Sequence, residues 1–393
     1  MNSKEFQLGC EVFLQDPPSW FRNRRLGLLV NQASVSQSLE HVSDLILSAE
    51  GNLTCLFSPQ HGFYGEKQAN MRESSDGWDS FRGVPVFSLY GDVRQPTPEM
   101  LERIDVLLID LQDVGTRVYT YAITMGLCLE SAANAGIKVV VMDRPNPING
   151  KQIEGNLLRE DHRSFVGRYP IPMRHGLTMG EMARYMVRKC HIPCDLEVIP
   201  LKGWRRRDFF PETKMQWVFP SPNMPSWETA LLYPGMVLLE GTNVSEGRGT
   251  TLPFHIFGSP FLDQKKFNDC LKRSELKGVF FRPICFEPVF DKYVGELCYG
   301  FQIHITDRKS FRPYRLGLVL LETFIHVHGD DFRWTPPPYE YEWEKLPIDI
   351  LLGDGTLRKR LEDGADIKEL ESGWEQELRA YRSECKDCLL YPE

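Results

Sequence analysis

Short apolar runs ending in polar clusters recur along the first half of the chain, and stretches with helical spacing separate them. Residues 26–30 run into Asn31-Gln32-Ala33-Ser34, and 39–49 then carries apolar positions at helical intervals. Residues 53–57 end in Ser58-Pro59-Gln60-His61-Gly62. Residues 104–111 end in Gln112-Asp113 ahead of a helical stretch at 119–136, and 138–142 end in Asp143-Arg144-Pro145-Asn146-Pro147. Strands of about five apolar residues alternating with helices predict βαβ units and a buried parallel sheet. In such a sheet ligands bind beyond the carboxyl ends of the strands, where these polar loops converge. Asn, Asp and Ser also serve as turn formers and helix caps, so any one loop is open to that plainer reading. Bulky hydrogen-bonding residues on several of them, His61, Arg117 and Arg144, favour function for the set.

The strand-like segment 196–200 completes this domain, and a Trp- and Pro-rich stretch at 204–234 is expected to cross the surface. Beyond it, 279–288 and 298–306 read as strands and 315–328 as a helix. The fold expected is therefore α/β: a Rossmann-like parallel-sheet domain, 1–229, followed by a smaller α+β domain, 230–393, that completes a cleft. The Pro-rich segment 335–347 reads as a surface wrap, and 358–385 as an amphipathic helix.

A chain of 393 residues exceeds the size at which one core usually stops growing, which agrees with two domains. The net charge of -8 argues against a nucleic-acid binder. Residues 1–18 mix Lys4, Glu5, Glu11 and Asp16 among apolar positions, unlike a signal peptide, and no run has the length of a membrane span. A soluble, cytoplasmic protein is expected. The ten cysteines are scattered and read as reduced core residues. The pairs Cys190/Cys194 and Cys385/Cys388 invite a zinc reading, but a structural site needs four ligands brought together, and no metal is expected.

Several chemistries are missing their motifs. The first strand is followed by Asn31-Gln32-Ala33, with no glycine where a pyrophosphate would need close backbone approach. Neither a Walker loop nor a Gly-x-Ser-x-Gly elbow occurs. What remains is a set of carboxylates, amides, arginines and tyrosines: His61 and Glu66 on the second loop, Asp113, Arg117, Tyr119 and Tyr121 on the third, Asn223 in the linker, and Glu240-Gly241-Thr242-Asn243-Val244-Ser245-Glu246-Gly247-Arg248 beyond it. Amides and carboxylates grip hydroxyls, rings cover sugar faces, and arginine pairs with a carboxylate. The array suits a sugar acid or acylated amino sugar, handled without a cofactor.

Leu56-Phe57-Ser58-Pro59-Gln60-His61-Gly62, Pro85-Val86-Phe87-Ser88-Leu89-Tyr90-Gly91, Asp110-Leu111-Gln112-Asp113-Val114-Gly115-Thr116-Arg117, Asp143-Arg144-Pro145-Asn146-Pro147-Ile148-Asn149-Gly150, Pro172-Met173-Arg174-His175-Gly176 and Glu240-Gly241-Thr242-Asn243 closely resemble, in order, motifs of the exo-β-N-acetylmuramidase family. The resemblance runs from about Leu26 to near the carboxyl end. It implies a Rossmann-like domain, a smaller second domain and a cleft between them. It also implies release of N-acetylmuramic acid from non-reducing ends of peptidoglycan-derived glycans, with a small carbohydrate as the partner.

One departure bears on the chemistry. Where the family commonly has Pro-Glu-His-Gly, this chain has Pro59-Gln60-His61-Gly62, and an amide cannot act as a general acid. Glycosidases generally need two carboxyl groups, unless a 2-acetamido substrate supplies the nucleophile itself. From position alone, Glu66 is expected to be the acid, and Asp113 the orienting group or base with Glu246 in reserve. Asn31, Gln60, His61, Arg117, Tyr119, Asn146, His175, Asn223, Glu240, Asn243 and Arg248 are expected to bind substrate, with Arg117 and Arg248 as candidates for the lactyl carboxylate. A sugar-binding sensor that lost its acid at Gln60, and a hydrolase cleaving an ether or ester on a sugar acid, are the alternative readings.

Overall fold

The computed structural model describes residues 6–69 and 71–393; Lys4 and Glu5 of the amino-terminal stretch, and Asn70 at the end of the second loop, lie outside the described residues. The strands are β1 (Leu26–Leu29), β2 (Leu53–Ser58), β3 (Gly77–Asp79), β4 (Val84–Ser88), β5 (Val106–Ile109), β6 (Lys138–Met142), β7 (Glu154–Leu157), β8 (Pro172–Arg174), β9 (Leu196–Ile199), β10 (Ile256–Ser259), β11 (Val279–Phe286) and β12 (Cys298–Ile305).

Seven of them form one sheet in the order β3-β4-β2-β1-β5-β6-β9. All pair in parallel except the edge strand β3. The order of the parallel strands reverses between β1 and β5, which is the doubly wound arrangement and leaves a crevice there. Side chains alternate across the sheet: Leu107, Ile109, Val139 and Val141 enter one apolar cluster, and Val106, Leu108, Val140 and Met142 the other. Both faces are covered, which is why these strands read as continuous apolar runs. Each predicted strand of this sheet and both predicted helices, observed at Val42–Ser48 and Tyr121–Ala135, are present.

The smaller domain holds an antiparallel sheet, β10-β12-β11, packed by helix Pro313–His328. A second helix, Trp227–Met236, crosses Pro313–His328 at Gly235 and Gly317. A Cβ on Gly235 would lie 1.9 Å from the Pro313 carbonyl oxygen, so only glycine lets the two backbones meet.

The stretch 204–234 crosses the surface only in part. Trp204, Phe209, Phe210 and Met224 are buried, and most of Trp227–Met236 is core. Of its prolines, Pro220 and Pro234 are buried, the latter inside the helix, whereas Pro211 and Pro225 are exposed. The predicted 358–385 helix is two helices, Gly355–Glu362 and Ile367–Cys385, separated by a turn at Gly364. The carboxyl end then returns to the first domain, where the Tyr391 hydroxyl meets Asp143. No helix among the described residues is long and apolar enough to cross a membrane.

Candidate active site

A small, partly open cavity lies beyond the carboxyl ends of β2 and β5, on either side of β1. Gln60 and His61 reach it from the loop after β2, Tyr119, Thr120 and Tyr121 from the loop after β5, and Asn223 from the linker. The second domain contributes Tyr233, Arg248, Phe254, Tyr339 and Glu340.

Gln60 is buried with its amide orientation fixed. The Thr120 hydroxyl donates to Oε1 at 2.7 Å, so Nε2 is the end that donates to Glu340 Oε1 at 3.2 Å. The Tyr90 hydroxyl donates to the other Glu340 oxygen at 2.6 Å. Only 4% of Glu340 is exposed. Burial pushes its carboxyl above the usual range, nearby Glu240 adds to the effect, and the Tyr90 and Gln60 hydrogen bonds oppose it.

His61 takes a left-handed backbone conformation, φ 76°. Its Nδ1 lies 2.7 Å from the Lys67 carbonyl, which only accepts, so Nδ1 carries the proton. Burial, aided by the Arg248 charge, pulls the imidazole down to about 4. The ring is therefore neutral near pH 7, with Nε2 an acceptor. Tyr119 packs against Tyr121 at 4.7 Å and edge-on to Tyr233 at 6.0 Å, and its buried hydroxyl lies beside Ser221 and the Tyr121 hydroxyl. On the far wall Arg248 donates to Glu240 at 2.7 Å and lies 3.3 Å from Glu246, which also accepts from Lys292 at 2.9 Å. Burial would raise the Glu246 carboxyl, but Lys292 and Arg248 overcome that and hold it below its usual range.

Of the residues expected to act here, Gln60, His61, Tyr119, Asn223 and Arg248 line the cavity, with Glu240 and Glu246 immediately behind Arg248. The others are placed elsewhere. Glu66 is exposed and folds back over Gly62, where a Cβ would come within 2.5 Å of its carboxylate; it accepts from the Tyr64 N–H at 3.2 Å and has no side facing the cavity. Arg117 is fully buried among the carbonyls of Asn156, Ile171, Leu351 and Leu352, so it clamps the third loop to both domains and has no donors to spare for a sugar acid beyond Nε. Asn146 bonds Leu177 and Ile148, and Asn243 bonds Asp331 and Arg333, each stabilising a loop. Asn31 stands one layer back, donating to the Tyr121 hydroxyl and the Pro220 carbonyl.

His175 accepts from the Leu177 N–H through Nδ1, so Nε2 donates to Asp113, 3.2 Å away. Asp113 also accepts from the Gly115 N–H at 2.6 Å, which leaves Oδ1 buried without a partner. This pair supports the third loop from outside the cavity wall. Among the described residues no three His, Cys, Asp or Glu side chains are arranged to hold a metal ion.

Glu340 and Tyr90 had no assigned role in the sequence reading. Tyr90 lies inside a quoted motif, and Tyr339-Glu340-Tyr341 repeats the mix of carboxylate and rings that marked the third loop. The prolines before it suggested a surface wrap, which concealed a buried acid.

A doubly wound sheet without a nucleotide loop, whose crevice is lined by buried carboxylates, amides and tyrosines, defines a two-domain α/β protein with a polar cleft. Residues 26–228 match the amino-terminal model of exo-β-N-acetylmuramidase NamZ and residues 231–391 the carboxyl-terminal model. The chain belongs to this glycosidase family. It is 40% identical over 386 residues to the peptidoglycan β-N-acetylmuramidase NamZ of Bacillus subtilis strain 168, covering 98% of this chain and 91% of that one. Two crystal structures of DUF1343 family proteins from Bacteroides fragilis NCTC 9343 share the fold. One has a TM-score of 0.88 at 32% identity, covering 98% of this chain and 99% of the other. The second has a TM-score of 0.77 at 28% identity, covering 99% of each.

Proposed function

We propose that this chain is an exo-acting β-N-acetylmuramidase that releases N-acetylmuramic acid, or a related amino sugar, from non-reducing ends of peptidoglycan-derived glycans, with Glu340 as its proton donor. The observation that carries the assignment is the buried Glu340 carboxyl held between the Gln60 amide and the Tyr90 hydroxyl. A carboxyl kept out of water holds its proton above the usual carboxylate range, which is the direction that protonating a leaving glycosidic oxygen requires. Under this reading Gln60 has given up the acid's role and orients the acid supplied by the second domain.

The 2-acetamido group of the substrate serves as the internal nucleophile in place of a nucleophilic carboxylate of the protein. Arg248 meets the lactyl carboxylate, and Glu240 and Glu246 hold the guanidinium in place. The Tyr119 hydroxyl and the Nε2 of His61, both on the cavity wall, supply a donor and an acceptor for sugar hydroxyls. The proposed division into 1–229 and 230–393 puts the orienting amide and the acid on opposite sides of the cleft. Ten thiols without a disulfide suit a reducing compartment, so recycling of wall fragments in the cytoplasm is the setting proposed.

A chromogenic N-acetylmuramide tested beside its N-acetylglucosamine analogue decides the matter. Release from the muramide alone is expected. Binding without release would favour the sensor reading, and failure to bind either would point to another ligand.

A further inference from the structure

The cavity below Glu340 measures about 30 Å³. That is room for water, whereas ligand pockets run to roughly 300 Å³ and above. Something must move before a sugar can enter. Most walls belong to the fold: Tyr121 and Tyr233 lie in helices, and Arg248 is held by buried ion pairs.

The segment carrying Tyr339 and Glu340 differs from the other walls. Across 336–345 the backbone hydrogen bonds found among the described residues are the reciprocal pair between Tyr339 and Glu342. The segment therefore bonds through its backbone to itself. Its ends are fixed: the Thr335 N–H donates to the Gly241 carbonyl at 2.9 Å, and helix Pro347–Leu352 begins just after the other end.

Between those ends, side chains hold the segment down. Inside, Glu340 accepts from Gln60 and Tyr90, and the Tyr339 hydroxyl donates to Glu240 at 2.7 Å. Outside, the Tyr341 hydroxyl donates to Glu73 at 3.1 Å. The Arg94 guanidinium lies 4.3 Å from the Tyr341 ring and 4.5 Å from the Tyr90 ring, and also bonds Glu73 at 3.2 Å.

We propose that residues 336–345 form a lid that lifts from the first domain to admit the sugar and returns to deliver Glu340, with Tyr341, Arg94 and Glu73 as its latch. The proposal rests on the muramidase reading for the identity of the sugar but not for the motion. A segment with little backbone bonding to its surroundings opens at low free-energy cost, and lids of this kind both admit substrate and exclude water during reaction. Because the acid travels on the lid, an open enzyme would lack its proton donor, and protonation would wait for closure over a bound sugar.

The test uses the full chain and the substitutions Tyr341→Ala, which removes both the Arg94 stack and the Glu73 hydrogen bond, and Glu73→Gln, an exposed change that leaves the stack. Amide hydrogen exchange is followed across 336–345, and binding of N-acetylmuramic acid is followed by stopped-flow protein fluorescence. Loss of a cation–π contact and a hydrogen bond shifts the closed-to-open ratio by about tenfold. Exchange of the segment and the association rate should both rise by about that factor in Tyr341→Ala, and in the same direction by less in Glu73→Gln. Unchanged exchange and unchanged association in both variants would overturn the lid. Failure of N-acetylmuramic acid to bind the unaltered protein would instead count against the proposed substrate, with exchange still deciding the motion.

Discussion

The Gln60 side-chain amide donates to the Glu340 carboxylate across 280 residues of chain, at 3.2 Å. The resemblance sets Gln60 where a glutamate is expected, and in this chain the carboxyl of the pair is carried by Glu340. The Thr120 hydroxyl fixes the amide, and the Tyr90 hydroxyl takes the remaining Glu340 oxygen. Substitutions at these two positions separate the proposed acid from its support.

Glu340→Gln should lower kcat by about 10²- to 10⁴-fold on a chromogenic N-acetylmuramide, the usual contribution of a general acid, while binding of N-acetylmuramic acid changes little. Glu66→Gln, at the exposed carboxylate first expected to be the acid, should leave kcat near its starting value. Assay of both variants together gives the answer, since the reverse pattern would return the acid to the second loop.

Gln60→Glu should keep activity but change its pH dependence. The substitution removes a donor that favours the ionised Glu340 and places a second carboxylate against it, and both changes favour the protonated form. The pair then titrates as a unit, with one proton held to higher pH. The alkaline limb of the kcat/KM profile should move up by about one unit. A profile that superimposes on the original would mean that Glu340 does not set that limb.

The central sheet was legible because its strands are buried on both faces and its helices follow the ordinary period. Gln60, His61, Tyr119, Asn223 and Arg248 were legible as candidates, and they line one cavity, because they sit on loops that the fold brings together. Glu340 was not, since its burial depends on Tyr90 and Gln60, both far away in sequence. Arg117 misled for the converse reason. A buried arginine on a functional-looking loop reads as a ligand for an anion until its carbonyl partners, contributed by distant segments, are seen.

Arg117 therefore carries a prediction about stability. Burial lowers its guanidinium to about 10, and removing it breaks four buried hydrogen bonds, two of which tie the third loop to the second domain. Arg117→Met should cost about 3 kcal/mol or more in urea unfolding. KM of the folded variant for the muramide should stay within about twofold, as expected for a residue outside the binding site. A large rise in KM with little loss of stability would restore Arg117 as a substrate ligand.

Asp143 links the carboxyl terminus to pH. It is fully buried and accepts from the Tyr391 and Thr178 hydroxyls and from the Arg144 and Gly180 N–H groups. Burial nonetheless pushes its carboxyl up to about 7 from a reference of 3.8. Between those values the folded state holds a proton that the unfolded state has released, so stability falls as pH rises through that window and levels off above it. Asp143→Asn keeps the shape and removes the titration. The stability of the original protein relative to this variant should decline between about pH 4 and pH 7, by on the order of a few kcal/mol. Urea midpoints at intervals across that range measure the difference, and two parallel curves would show that Asp143 titrates alike in the folded and unfolded states.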